Sequence, residues 1–164
     1  MRRSKLILIL AGMTAVLAVG VALARPATAT AATPEAVAAA VAPIPITVYH
    51  SPTCGCCKEW VKHMEANGFA VKSIEQPDLS GVKAEMGVPN RLRSCHTAIV
   101  GGYVIEGHVP AADVKRLLTE KPKVVGLTIP GMPQSAPGMD SGKEPYEVLA
   151  WDAQGKTTSW AKHN

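Results

Sequence analysis

The 164-residue sequence has no arginine-rich stripe interleaved with aromatic residues, no internal repeat and only four cysteines. The first absence excludes a nucleic-acid footprint, which gathers Lys and Arg on one face. The second excludes solenoids and propellers. An excess of one charge is also nearly missing from the body of the chain. The formal +4 resides mostly at the N-terminus. A cut after Ala24 removes three of the 17 basic residues and none of the 13 acidic ones, which leaves +1. The basicity therefore reads as a targeting signal and not as a surface for polyanions.

What is present begins with an export pattern. Arg2, Arg3 and Lys5 precede an uncharged apolar run from Leu6 to Leu23, and small residues follow, with an A-x-A-like site at Ala22-Leu23-Ala24. This predicts a signal peptide over 1–24 and a periplasmic destination. A run of this length also suits an uncleaved membrane anchor. Residues 25–43 are Ala, Thr, Pro and Val with almost no large side chains, and read as a flexible tether. The folded part is then 44–164, roughly 120 residues, enough for one core.

From Ile46 the chain alternates between the two hydrophobic periods. "ITVYH" (46–50) reads as a strand from its β-branched and aromatic content. A helix follows over 56–67, with Cys57, Trp60, Val61 and Met64 on one face and Asn67-Gly68 as its stop. Residues 69–75 read as a strand, 78–87 as a short helix and 96–100 as a strand. Gly101-Gly102 is a hairpin turn into a strand at 103–107, and Pro110 opens a helix over 111–121. The order β-α-β-α-β-β-α predicts an α/β domain of thioredoxin-like plan, with a parallel pair closed by a right-handed crossover. A Cys-x-x-Cys beside a β-α-β pattern supports the same plan. Residues 124–145 read as a Pro/Gly/Met loop without periodicity. Residues 146–152 and 157–163 read as a C-terminal hairpin.

Three of the four cysteines stand together, in "SPTCGCCKEW". Cys54 and Cys57 are three apart at the start of a helix, where unpaired N–H groups favour a thiolate, and this is the pattern of a redox dithiol. The plain alternative is a stabilising disulfide in an exported protein. A bridge between near neighbours closes a very short loop and removes little unfolded-state entropy. Cys56 points elsewhere. A third thiol between two redox partners invites scrambling, whereas three thiolates at a helix N-terminus suit a soft ion. Cys95 lies just before the third strand, in the loop that faces the Cys-x-x-Cys turn in thioredoxin-like folds. Four converging thiolates could hold one tetrahedral Zn²⁺ or a multi-copper Cu(I) thiolate cluster. The spacing matches none of the usual iron–sulfur patterns.

Other soft donors help to choose among metals. His96 adjoins Cys95, His108 follows the fourth strand, and His50 ends the first beside the cysteine turn. Each is a candidate additional metal contact, as are Met132 and Met139 in the loop. Thioethers bind Cu(I) and hardly bind Zn²⁺. His63 and His163 read as surface residues. The set as a whole tilts towards copper, with zinc as the alternative.

At this point "YHSPTCGCCKEWVKHMEANGF", "GVPNRLRSCHTAIVGGYVIEGHVP" and "PGMPQSAPGM" resemble the CopG-like family of exported copper-associated proteins, long described as a domain of unknown function. The resemblance covers about residues 46–140 and implies a thioredoxin-like fold, a role in copper resistance and thiol oxidoreductase chemistry. It places the family's Cys-x-Cys-Cys motif on Cys54, Cys56 and Cys57. Its Ser-Cys-His-Thr segment falls on Ser94 to Thr97, its Glu-Gly-His-Val-Pro on Glu106 to Pro110, and its Met loop on Met132 to Met139. The loop reads Ser-Ala-Pro at 135–137 where relatives often read Gly-Ser-Pro, which affects only the fine geometry of the loop.

The resulting expectation is a periplasmic Cu(I)-binding protein of copper homeostasis, with Cys54, Cys56, Cys57 and Cys95 as ligands. Its partners would be copper ions and a copper efflux or chaperone protein, with the membrane touched only through the N-terminal segment. One alternative is a thiol–disulfide oxidoreductase in which Cys54 attacks and Cys57 resolves. A second is a Zn- or disulfide-stabilised interaction domain.

Overall fold

The computed structural model describes residues 42–164. The expected export segment (1–24) and the tether as far as residue 41 lie outside the described residues. Among those described, the order is β1 (Ile44–His50), α1 (Gly55–Ala66), β2 (Phe69–Glu75), α2 (Ser80–Glu85), a 3₁₀ turn (Asn90–Leu92), β3 (Thr97–Val100), β4 (Tyr103–Glu106), α3 (Ala111–Glu120), β5 (Gly126–Thr128), β6 (Tyr146–Trp151) and β7 (Thr157–His163). All seven strands form one sheet in the order β2-β1-β3-β4-β5-β6-β7.

The α/β expectation holds. β1 and β2 pair in parallel across α1, from Ile44–Phe69 to His50–Glu75, and β3 lies antiparallel on the other side of β1. β3 and β4 form the expected hairpin, and both turn residues, Gly101 and Gly102, have positive φ (55° and 85°). A two-residue turn of this hand needs that conformation at both positions, which glycine adopts without strain. α1 buries Cys57, Trp60 and Met64 against the sheet, the face predicted from their spacing. Val61 packs at its margin. Trp60 also donates its indole N–H to Val109 O at 2.9 Å, which satisfies a polar atom that burial would otherwise strand.

α2 is shorter than expected. The Asp78 carboxylate accepts the Ser80 N–H at 2.8 Å, so Asp78 stands outside the helix. The larger difference is β5. Residues 126–128 pair in parallel with β4 and antiparallel with β6, inside a segment that reads as irregular. Three residues are too few to display alternation. Gly126 permits the pairing, because a Cβ there would meet Val104 O at 1.8 Å. Through β5 the C-terminal hairpin becomes a continuation of the main sheet. The core is built from Val48, Trp60, Met64, Ile105, Val109, Val114, Leu117 and Leu127, each without exposed surface. Burial of such side chains contributes about 1.5–3 kcal/mol each.

Candidate metal centre

β1 delivers the chain to the Ser51-Pro52-Thr53 turn, and Cys54 caps α1, its Sγ accepting the Cys57 N–H at 3.3 Å. The first turn of the helix thus carries Cys54, Cys56 and Cys57. Cys54 and Cys57 are joined as a disulfide with their Cα atoms 5.3 Å apart, and Cys56 is free. Cys57 is fully buried, whereas Cys54 and Cys56 are half-buried. The Cys56 Sγ lies 3.5 Å from that of Cys54.

The opposite wall comes from the approach to β3. The 3₁₀ turn redirects the chain so that Ser94, Cys95 and His96 run into the strand. The four sulfurs of Cys54, Cys56, Cys57 and Cys95 all lie within 4.8 Å of one another. Two distant segments therefore form one sulfur pocket. Cys95 also belongs to a second group of the same compactness, with His96 and His108. Its Sγ is 3.2 Å from His96 Nδ1 and 3.0 Å from His108 Nε2.

The electrostatics follow from burial. His96 is completely buried, with its ring 4.4 Å from that of Trp60 and 5.0 Å from that of His108. Desolvation first, then the neighbouring His108 and Lys83, holds its pKa well below the ordinary histidine value. Burial lowers His108 as well. Both rings therefore stay neutral near pH 7 and keep a lone pair to offer. The Nδ1–H of His108 donates to Pro137 O at 2.7 Å, which fixes the tautomer and turns the Nε2 lone pair towards Cys95. Burial, together with Cys56, pushes the Cys95 thiol up to about 12. Without a cation that sulfur stays protonated, and a bound soft cation displaces the proton.

The expected additional contacts divide. His96 and His108 join Cys95. His50 does not join either group. It is buried, but its Nε2 accepts from Ser73 Oγ at 2.6 Å and its Nδ1 donates to Ser51 O at 2.9 Å. Gly138 lies against the backbone of Cys56 and Trp60, so the loop crosses the N-terminus of α1 immediately before Met139. Met132 is 52% exposed. His63, expected at the surface, is half-buried and accepts the Ala111 N–H that opens α3, at 3.1 Å. His163 forms a 2.7 Å pair with Asp113.

Sequence reasoning missed Glu106 and Lys83, a buried ion pair at 2.5 Å beside Thr97. A lysine near the end of a six-residue helix reads as solvated, and nothing local signals its burial. It also missed the Pro137 carbonyl, since a backbone acceptor leaves no residue signature.

The donors converging here are sulfur and imidazole nitrogen, with no carboxylate in either group. Such a set suits soft or borderline ions such as Cu(I) and Zn²⁺, not Mg²⁺ or Ca²⁺. Fold and site together define an α/β protein with a sulfur–imidazole pocket at the N-terminus of a helix. Comparison with known proteins gives the kinship. A family model described as "Protein of unknown function, DUF411" matches residues 92–139. Two solved structures, Copper resistance protein copG in Form 1 and in Form 2, are each 43% identical to the chain with a TM-score of 0.70. Each match covers 74% of this chain, and 98% and 99% of those chains respectively. No curated protein matches. The chain belongs to the CopG family.

Proposed function

We propose that the domain is a periplasmic copper-binding protein that holds Cu(I) through Cys54, Cys56, Cys57 and Cys95, in copper homeostasis and resistance. His96 and His108 supply nitrogen donors on the Cys95 side, and Met139 follows directly on Gly138, which lies against the first turns of α1. A copper efflux or chaperone protein is the natural recipient. Periplasmic placement rests on the N-terminal pattern. Among the described residues no helix is long and apolar enough to cross a membrane. The copper assignment rests on family membership and on one observation: Cys95, about 40 residues from the triplet, lies within 4.8 Å of it.

The disulfide and a four-sulfur site are alternative states of the same atoms. Reduction takes two electrons and two protons and frees two more sulfurs. In the reverse direction, two Cu²⁺ ions could take one electron each from the Cys54 and Cys57 thiolates, giving one disulfide and two Cu⁺. The pocket would then couple the copper oxidation state to that of its own thiols.

Anaerobic titration of reduced protein with Cu(I) against a chromogenic chelator, with X-ray absorption for Cu–S coordination, tests the proposal. Cys56→Ser should weaken copper binding strongly and still permit the 54–57 disulfide. Normal copper stoichiometry in that variant, or zinc as the metal extracted from anaerobically purified protein, would overturn the assignment.

A second reading, thiol–disulfide exchange with external substrates, is favoured by the burial contrast within the pair. Cys54 is accessible for attack and Cys57 is buried as the resolving thiol. Turnover with insulin or glutathione disulfide, abolished by Cys54→Ser, would establish it. Absence of turnover with wild-type protein would remove it.

A further inference from the structure

Glu106 ends β4 with no exposed surface, and Lys83 reaches it from α2. Both carboxylate oxygens are engaged. Oε1 accepts from Lys83 Nζ at 2.5 Å and from the Ser94 backbone N–H at 2.6 Å. Oε2 accepts from the Thr97 hydroxyl at 2.7 Å, and Lys83 also donates to Thr97 Oγ1 at 2.9 Å. One carboxylate thus grips the chain on both sides of Cys95 and His96. The next residue tightens the same region. The Gly107 N–H donates to His96 O at 3.0 Å, and Gly107 sits so close to Ser94 that a Cβ would meet Ser94 Oγ at 2.5 Å. His108 follows directly.

A buried ion pair is an inefficient source of stability, because desolvation offsets most of the attraction. What this pair supplies is placement. Its hydrogen bonds end on the backbone and hydroxyl that flank two donors, and its own strand leads into the third. Groups of this kind behind a metal ligand are typically worth 10- to 100-fold in affinity.

We propose that Glu106, neutralised by Lys83, is the positioning residue for the Cys95–His96–His108 half of the pocket, holding these donors in place through Ser94 and Thr97. The metal readout of this claim rests on the copper-binding reading, whereas the alkylation readout does not.

The comparison is made in a background without unpaired charge. In Lys83→Met/Glu106→Gln, the amide oxygen still accepts from Ser94 and the amide N–H₂ still reaches Thr97. In Lys83→Met/Glu106→Ala both anchors are gone. Cys95 alkylation by iodoacetamide is followed by peptide mass mapping in metal-free protein with the 54–57 disulfide intact. It should run several-fold faster in the Ala double variant, while the Gln double variant stays near wild type. Reduced protein should show the Ala variant binding Cu(I) about 10- to 100-fold more weakly than the Gln variant. X-ray absorption should show it losing nitrogen donors while keeping Cu–S contacts. Equal alkylation rates in two folded double variants would sink the proposal. If the Ala variant fails to fold, Thr97→Val, which changes no charge, decides: faster Cys95 alkylation supports the proposal and an unchanged rate overturns it. Failure of wild-type protein to bind copper would remove the copper reading and leave the alkylation comparison to judge Glu106.

Discussion

Cys95 lies within reach of two imidazole nitrogens, at 3.0 and 3.2 Å, while also belonging to the four-sulfur group. Cys95→Ser should therefore cut Cu(I) affinity by at least about 100-fold, because a hydroxyl is a poor ligand for a soft ion. The 54–57 disulfide should still form. Chelator competition and thiol counting check the two halves. Acid sensitivity is also set at this scale. An unfolded chain takes up a proton on His96 near the ordinary value of 6.5, and the folded chain does so only at much lower pH. The unfolded state then binds more protons, so stability is full above pH 6.5 and falls as the pH drops below it. The slope is up to about 1.4 kcal/mol per pH unit for one such histidine. Urea midpoints of metal-free protein at pH 7.5 and pH 5 should show this fall, and His96→Asn should flatten it. An unchanged slope would assign the loss to His108 and His63, which burial also lowers. The cysteines and histidines were legible in the sequence because their chemistry is their identity. Lys83 and Glu106 were not, since they are 23 residues apart and only the folded chain brings them together.

Among the elements, β1 to α3 were readable to within about two residues at most boundaries, because apolar periods of two and 3.6 change cleanly at Ser51, Asn67 and Gly101. β5 escaped because three residues carry no period, and its existence depends on Gly126 approaching Val104 O. In sequence the segment after β5 reads only as a loop, yet it has a defined seat. Gly138 has φ +83° and a Cβ there would lie 2.6 Å from Trp60 N. Gly138→Ala should cost about 1–3 kcal/mol through strain and the clash. It should also disturb the neighbouring Pro137 carbonyl that fixes the His108 tautomer, and so weaken Cu(I) binding. Urea unfolding and chelator competition read the two effects separately. Unchanged binding in a destabilised variant would show that the segment contributes to the fold alone.

For the molecule as a whole, the state of one disulfide should determine how much copper stabilises the fold. A ligand that binds only the native state adds about 4 kcal/mol at a thousand times its dissociation constant. Reduced protein, with four thiols available, should therefore gain a large concentration-dependent rise in melting temperature with Cu(I). Oxidised protein, with Cys54 and Cys57 spent on each other, should gain much less. Equal shifts in the two states would refute the shared pocket. The segment over α1 leaves the sheet after Thr128 and returns at Tyr146, on strands that are direct neighbours. Both feet of this detour are anchored by the same ladder, and Glu144 accepts from the Gln134 N–H and the Ser135 hydroxyl across the loop, so a change of length there should loosen the loop and leave strand register in place. The roof of the pocket can thereby be loosened from its far limb without moving its floor, the first turn of α1, which stays where the core puts it.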